Sequence, residues 1–268
     1  SLIISTIYIL FIGLRKEIGV DWDKYQKIVS DYQFPSYVDI FKTTTDPLYF
    51  ILNKFVQNFD GGIYYINSIC AFIFIFSLIL FLNDLKRPFL GLSIAFPYLI
   101  LVIGSNYTRQ SVAIGLSLLV IKFIRKEKFL YAIFLSFLSL GFHISGVFGL
   151  LYFFPFIFQI LKKRKDLIFL LLIVIILFAI SLLPLLKYLF VQYLGMSYIS
   201  KGFYFRSLVY SFSGTIFLLN KDRFTKNLAE KSLISFLTYF TYFLLIIGIV
   251  FSSQTALLDR IGLYLTPL

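Results

Sequence analysis

The sequence predicts an all-α, polytopic integral membrane bundle, and three observations lead there. Hydrophobic residues make up 59% of the chain and charged residues 14%, whereas a soluble domain carries roughly a quarter charged residues. The mean hydropathy of +0.89 comes from long apolar blocks separated by short charged clusters, the pattern of repeated membrane crossing. Blocks such as "DLIFLLLIVIILFAISLL" (166–183) are continuous, without the period-two alternation of a barrel strand. A crossing chain must satisfy its backbone internally, so these blocks are helices.

The net charge of +12 points to membrane orientation and not to nucleic acid. Just over half of the basic residues fall in four clusters between apolar blocks: "NDLKR" (83–87), "RKEK" (125–128), "KKRKD" (162–166) and "KDRFTKNLAEK" (221–231). The positive-inside rule puts all four in the cytoplasm. The chain then leaves and returns between clusters. About ten helices follow, near 1–14, 62–83, 88–104, 109–124, 129–142, 145–161, 167–186, 207–220 and 232–251, with a truncated one from 261. The chain starts at Ser1 inside an apolar block and stops at "RIGLYLTPL". The expectation is therefore a fragment missing residues at both ends, whose first block is a true helix and not a signal peptide.

This topology gathers the polar chemistry outside. Asp21, Asp23, Asp46, His143, Arg206, Asp259 and Arg260 fall in or beside outward segments, and Arg109 sits at the lip of one. The hairpins 88–124 and 129–161 each hold fewer residues than the roughly 40 that two full crossings need. Each arm of the second reaches roughly 24 Å into a core of about 30 Å. Arg109 and His143 should lie slightly below the outer surface, where an ionisable group needs water or a partner.

The long outer segment, about 15–61, is not a span. Within it "DPLYFILNKFVQNF" (46–59) has a helix start, with Asp46 as N-cap and Pro47 at the first position. Leu48, Ile51, Leu52, Phe55 and Phe59 form one stripe, so a short helix lies along the interface or re-enters the bundle. It ends near "DGG" (60–62), a helix stop. No internal repeat or linker is visible, so residues 1–268 form a single integral membrane domain. The lone cysteine, Cys70, excludes a disulfide framework. With one histidine and one cysteine there is no metal-ligand spacing, no nucleotide loop and no expected cofactor.

Several constellations carry chemistry. In "SNYTRQSVAIG" (105–115) Arg109 and Gln110 open a helix among Ser105, Asn106, Tyr107 and Thr108. A guanidinium fork there suits a phosphate or pyrophosphate; the alternative is an arginine snorkelling to the interface. His143 in "GFHISG" is a general acid or base, or a neutral histidine bonded between close-packed helices. "GVDWDKY" (19–25) sets Asp21, Trp22, Asp23 and Tyr25 together. Carboxylates beside aromatic rings bind sugars and can take a hydroxyl proton, although an N-cap and an interfacial tryptophan fit as well. In "LLDRIGLY" Asp259 and Arg260 are adjacent on a helix and need separate partners. Arg206 and Lys201 can meet a lipid headgroup.

The order "VDWDKY", "DPLYFILN", "NYTRQSVAIG", "GFHISG", "DRIGLY", over residues 18 to 264, resembles the EpsG-like family of bacterial Wzy-type polysaccharide polymerases. The resemblance implies an inner-membrane enzyme that joins undecaprenyl-pyrophosphate-linked repeat units into O-antigen, capsule or exopolysaccharide on the periplasmic or outer face. It needs no metal and no nucleotide sugar. Arg109 would hold the pyrophosphate, with Arg206 and Arg260 as helpers. Asp21, Asp23 and His143 compete as base. Trp22, Tyr25, Asp46, Tyr49, Tyr107, Gln110 and Asp259 would contact substrate. Lipid-linked glycans, membrane lipids and other export or chain-length proteins are the implied partners. A lipid-linked oligosaccharide flippase, another membrane glycan ligase and an acyltransferase are the rival functions.

Overall fold

The computed structural model describes residues 2–19, 21–31, 36–57, 59, 62–157, 199–225 and 228–266, which are all-helical with no strand among them. They fall into two compact units, residues 1–150 and 151–268.

In the first unit α1 (Leu2–Gly13) is followed by three helices in the 15–61 segment, α2 (Trp22–Asp31), α3 (Tyr37–Thr43) and α4 (Pro47–Val56). One helix is expected there and three are found, because each has its own start. Ser36 caps α3 by accepting from the Asp39 N–H at 3.2 Å, and Pro47 opens α4. The buried face of α4 is Tyr49, Phe50, Asn53 and Val56, not the expected stripe, of which Phe55 and Phe59 are exposed. The tyrosine face wins because it packs on Tyr25, Ile40 and Ile66 in one core cluster.

Helix α5 (Gly62–Leu82) starts where expected, with Gly62 in the left-handed region at φ 49°. It packs against α1 and α7 (Thr108–Arg125). Helix α7 is the centre of this unit, buried continuously from Gln110 to Ile121. Small residues let it approach its neighbours closely. Gly115 lies on the Phe74 backbone, and Ser139 donates to the Ala113 carbonyl at 2.9 Å. After α7 the chain turns at Glu127 (φ 57°). The Lys128 N–H reaches the Phe123 carbonyl and the Glu127 N–H the Ile124 carbonyl, each at 2.9 Å, the paired bonds of a Schellman stop. Helix α8 (Phe129–Phe142) returns.

Two expected helices take other forms. The block 88–104 is α6 (Pro88–Ala95) running into a π-helical stretch, Phe96–Gly104; Pro97, without an N–H, disrupts the α ladder at that point. The block from 145 is a 3₁₀ helix, Ile144–Phe153, with α-helical residues only at 154–157. Gly146 lies against the α8 backbone at Ser139 and Leu140, so the chain folds back closely on α8 here.

The expected helix at 167–186 and the cluster at 162–166 lie outside the described residues. In the second unit α9 (Phe203–Phe224) and α10 (Leu228–Val250) pack through Ser211, whose hydroxyl donates to Thr241 at 3.2 Å, and through Thr215 and Tyr242 at 2.6 Å. Both start earlier than expected, since no breaker follows Gly202 or precedes Ser232, and α9 kinks at Asn220 (φ −123°, ψ 17°), where its end is expected. The final helix, α11, is Thr255–Gly262 instead of starting at 261. Asp259 and Arg260 therefore lie within it.

Among the described residues, 62–82 and 230–250 are helices long and apolar enough to cross a membrane, and 3–13, 88–104, 129–142 and 144–157 are shorter apolar helices.

Candidate functional site

Three elements of the first unit bring a charge cluster together. Arg109, in the first turn of α7, donates from Nη1 to Asp46 Oδ2 at 2.5 Å. The side chains keep 12% and 3% of their exposure, so the pair is largely shielded from water. The guanidinium carbon lies 5.5 Å from the Tyr25 ring centre and 5.4 Å from that of Tyr49. The rings themselves meet edge to face, 5.9 Å apart. Arg109 thus uses both faces of its chemistry, a charged hydrogen bond and two cation–π contacts. It does not snorkel.

Asp46 does not cap α4 with its side chain. Its second oxygen, Oδ1, accepts from the backbone N–H of Ile144 at 2.9 Å. The carboxylate therefore ties α4 to both the start of α7 and the end of α8. Burial raises its proton affinity above the ordinary carboxylate range, against the opposing pull of Arg109. Burial likewise raises the hydroxyl pKa of Tyr25 and of Tyr49.

His143 ends α8 in an extended conformation, one residue before the Ile144 N–H that Asp46 binds. Its Nδ1 accepts from the Ser145 backbone N–H at 3.1 Å and faces the Ser145 hydroxyl at 2.7 Å. A backbone N–H can only donate, so this bond needs a lone pair on Nδ1 and, in the neutral ring, places the proton on Nε2.

The sequence reading missed Arg15. It is 5% exposed and donates from Nη1 to the Ile12 carbonyl at 2.7 Å. From Nη2 it donates to Thr108 Oγ1 at 2.6 Å and to Asn67 Oδ1 at 3.3 Å. Thr108 also donates to Asn67 Oδ1 at 3.2 Å. This network holds the first turn of α7, the turn that carries Arg109. Arg15 closes the first apolar block in "GLRKEIG", where a basic residue looks like an ordinary flank; its partners, distant in sequence, give no local signal.

The remaining candidates are placed as follows. Trp22 is 6% exposed, with its ring tilted on Tyr64 at 6.3 Å, so it serves the core. Asp21 is half-buried and Asp23 exposed at the start of α2. Gln110 is buried and its Nε2 lacks an acceptor, while Tyr107, half-buried, precedes α7. The second unit holds a separate pair. Arg206 Nε donates to Asp259 Oδ1 at 2.8 Å and its Nη2 to Asp259 Oδ2, with Ser200 donating to the same carboxylate at 2.9 Å. Arg260 is half-buried beside it in α11. Arg206 and Asp259 are thus brought together within their own unit, and Arg109, Asp46, Tyr25 and Tyr49 within theirs.

No curated protein and no solved structure matches the chain. The profile of the EpsG family matches residues 1–268, the whole chain. A largely buried arginine–carboxylate–tyrosine cluster in an all-helical, strongly apolar protein is thus found in a member of the EpsG family, membrane proteins of polysaccharide biosynthesis.

Proposed function

We propose that the protein polymerises undecaprenyl-pyrophosphate-linked oligosaccharide repeat units on the outer face of the bacterial inner membrane. One observation carries this reading: Arg109, its carboxylate partner Asp46 and the two tyrosine rings form a single cluster on the side that the basic clusters assign to the exterior. Polymerisation needs a cation where a diphosphate departs. A guanidinium held by a carboxylate and two rings is oriented before substrate arrives.

The chemistry is one displacement. The acceptor hydroxyl attacks the anomeric carbon, its C–O bond forming as the bond from that carbon to the diphosphate oxygen breaks. Configuration inverts, the hydroxyl proton passes to a base, and the lipid diphosphate leaves with the bonding electron pair. Asp21, Asp23 and His143 are the candidate bases. Tyr107 belongs to the surface around the sugar, while Tyr25 and Tyr49 back the guanidinium with their rings and Trp22 and Gln110 pack behind them. In the second unit Arg206, Asp259 and Arg260 form a separate candidate contact for glycan or phosphate. Neither a metal nor a cofactor enters this scheme. Export and chain-length proteins are the partners such an enzyme would meet.

Complementation of a deletion strain tests this. Wild type should restore long polymer, whereas Arg109→Ala and His143→Ala should leave single repeats on lipid at normal protein levels. Normal-length polymer from both variants would sink the reading. Loss of all surface glycan, with repeats trapped inside, would mean a flippase.

A further inference from the structure

We infer that Arg15 supplies the net positive charge by which the outer cluster holds the diphosphate of its lipid-linked substrate, an inference that rests on the function proposed above. Arg109 meets the diphosphate as the oriented donor, but with Asp46 it forms a pair of zero net charge. The hydrogen-bond acceptors of Arg15 are the Ile12 carbonyl, the Asn67 amide and the Thr108 hydroxyl, all neutral. No carboxylate pairs with Arg15 among the described residues. Two guanidiniums against one carboxylate leave the cluster with one uncompensated cation, buried where such a charge is strongly unfavourable unless it is used. Asp21 and Lys24, at the solvent edge beside Tyr25 and Asp46, carry opposite charges and cancel.

The hydrogen-bonding inventory points the same way. Among the described residues of the first unit, Arg15 Nε, Asn67 Nδ2, Arg109 Nε and Gln110 Nε2 are buried and without an acceptor, against one unpaired acceptor, Asn53 Oδ1, and the unpaired Tyr49 hydroxyl on α4. The four N–H groups, on the chain leaving α1, on α5 and on the first turn of α7, outnumber those acceptors. A cluster with surplus donors and a net positive charge suits an acceptor-only anion, a phosphate oxyanion, better than a sugar hydroxyl that must also donate. Arg15 does not itself meet the ligand in this arrangement. It stands behind Thr108, fixes the turn that presents Arg109, and acts on the anion through a low-dielectric interior. It is a positioning residue whose charge matters as well as its hydrogen bonds.

The experiment uses the full chain purified in a neutral detergent at low salt, with inorganic pyrophosphate titrated against thermal unfolding. Wild type should be stabilised saturably. Arg15→Gln, which keeps a donor for Thr108 but no charge, should weaken the apparent Kd by about tenfold or more. Arg15→Lys, which loses the fork but keeps the charge, should stay within about threefold of wild type. Asp46→Asn removes the negative member of the cluster and should tighten binding, which keeps the test open should Arg15→Gln fail to fold. A pyrophosphate Kd unchanged in Arg15→Gln, an Arg15→Lys as weak as Arg15→Gln, or an Asp46→Asn no tighter than wild type overturns the proposal. Displacement of pyrophosphate by equimolar phosphatidylglycerol overturns the substrate assignment in favour of an ordinary lipid headgroup. The variant results bear on Arg15 and leave the polymerase reading to the complementation test, whose failure leaves the pyrophosphate result standing.

Discussion

Asp46 is the residue on which most of the Arg109 cluster depends, since its two oxygens serve Arg109 and the Ile144 N–H at once. Asp46→Ala removes both acceptors and leaves a guanidinium and an amide buried without partners, at an expected cost of about 3–5 kcal/mol. Asp46→Asn should cost less than that, because its single amide oxygen keeps one of the two bonds, although its NH2 then meets the other donor without an acceptor. Thermal unfolding of the two purified variants checks the order; an Asn variant as weak as the Ala variant would contradict it. A sign for pH follows as well. The folded state holds the Asp46 proton more tightly than the unfolded chain does, so this group's contribution to stability is full at low pH and is lost as pH rises through its raised pKa. The stability of wild type relative to Asp46→Asn should therefore fall as pH rises from the ordinary carboxylate range. A difference that grows with pH would mean that Arg109 outweighs burial.

At the scale of elements, the return from α8 into the 3₁₀ helix sets His143, Ile144 and Ser145 against the cluster. A Cβ on Gly146 would come within 2.5 Å of the Ser139 carbonyl carbon and 2.6 Å of the Leu140 nitrogen. Backbone cannot swing aside, so Gly146→Ala should cost about 1–3 kcal/mol and reduce polymer. Gly149→Ala meets the Ser117 hydroxyl at 2.8 Å, a side-chain end that can turn aside at the loss of its bond to Ser139 Oγ, and should cost clearly less than a clash with backbone. Equal melting temperatures for the two would sink this account. The same elements show what was legible in the sequence. Helix starts at Pro47, Pro88 and Phe129 follow from caps, prolines and charge clusters, which act over a few residues. The π stretch at Phe96–Gly104 and the 3₁₀ helix were not legible, because apolar composition is indifferent to helix type. The stripe on α4 misled for a related reason: periodicity shows that a helix has faces, while the tyrosines it packs on decide which face is buried. The site was legible as a list, since Arg109, Asp46, Tyr25 and Tyr49 were each candidates. Their pairing was not, with Asp46 and Arg109 separated by 63 positions and Arg15 and Thr108 by 93.

For the whole molecule, the proposed orientation puts the α2–α4 segment outside and the turn between α7 and α8 inside. Cys70 is the sole cysteine and is 1% exposed, so it is silent to thiol reagents in the folded protein. Gln57→Cys should react with a membrane-impermeant maleimide in spheroplasts. Lys128→Cys should react only after permeabilisation. The reverse pattern would invert the topology and remove the outer site. The short helices flanking α7 have a further consequence. Residues 129–142 of α8 give a rod of roughly 21 Å at about 1.5 Å per residue, against a hydrocarbon thickness of about 30 Å. A bilayer meeting so short a wall thins to match it. Under the proposed function, the leaflet would dip beside Arg109, and a polyprenyl diphosphate at the floor of that dimple would rest level with the guanidinium while its isoprenoid tail stays in oil.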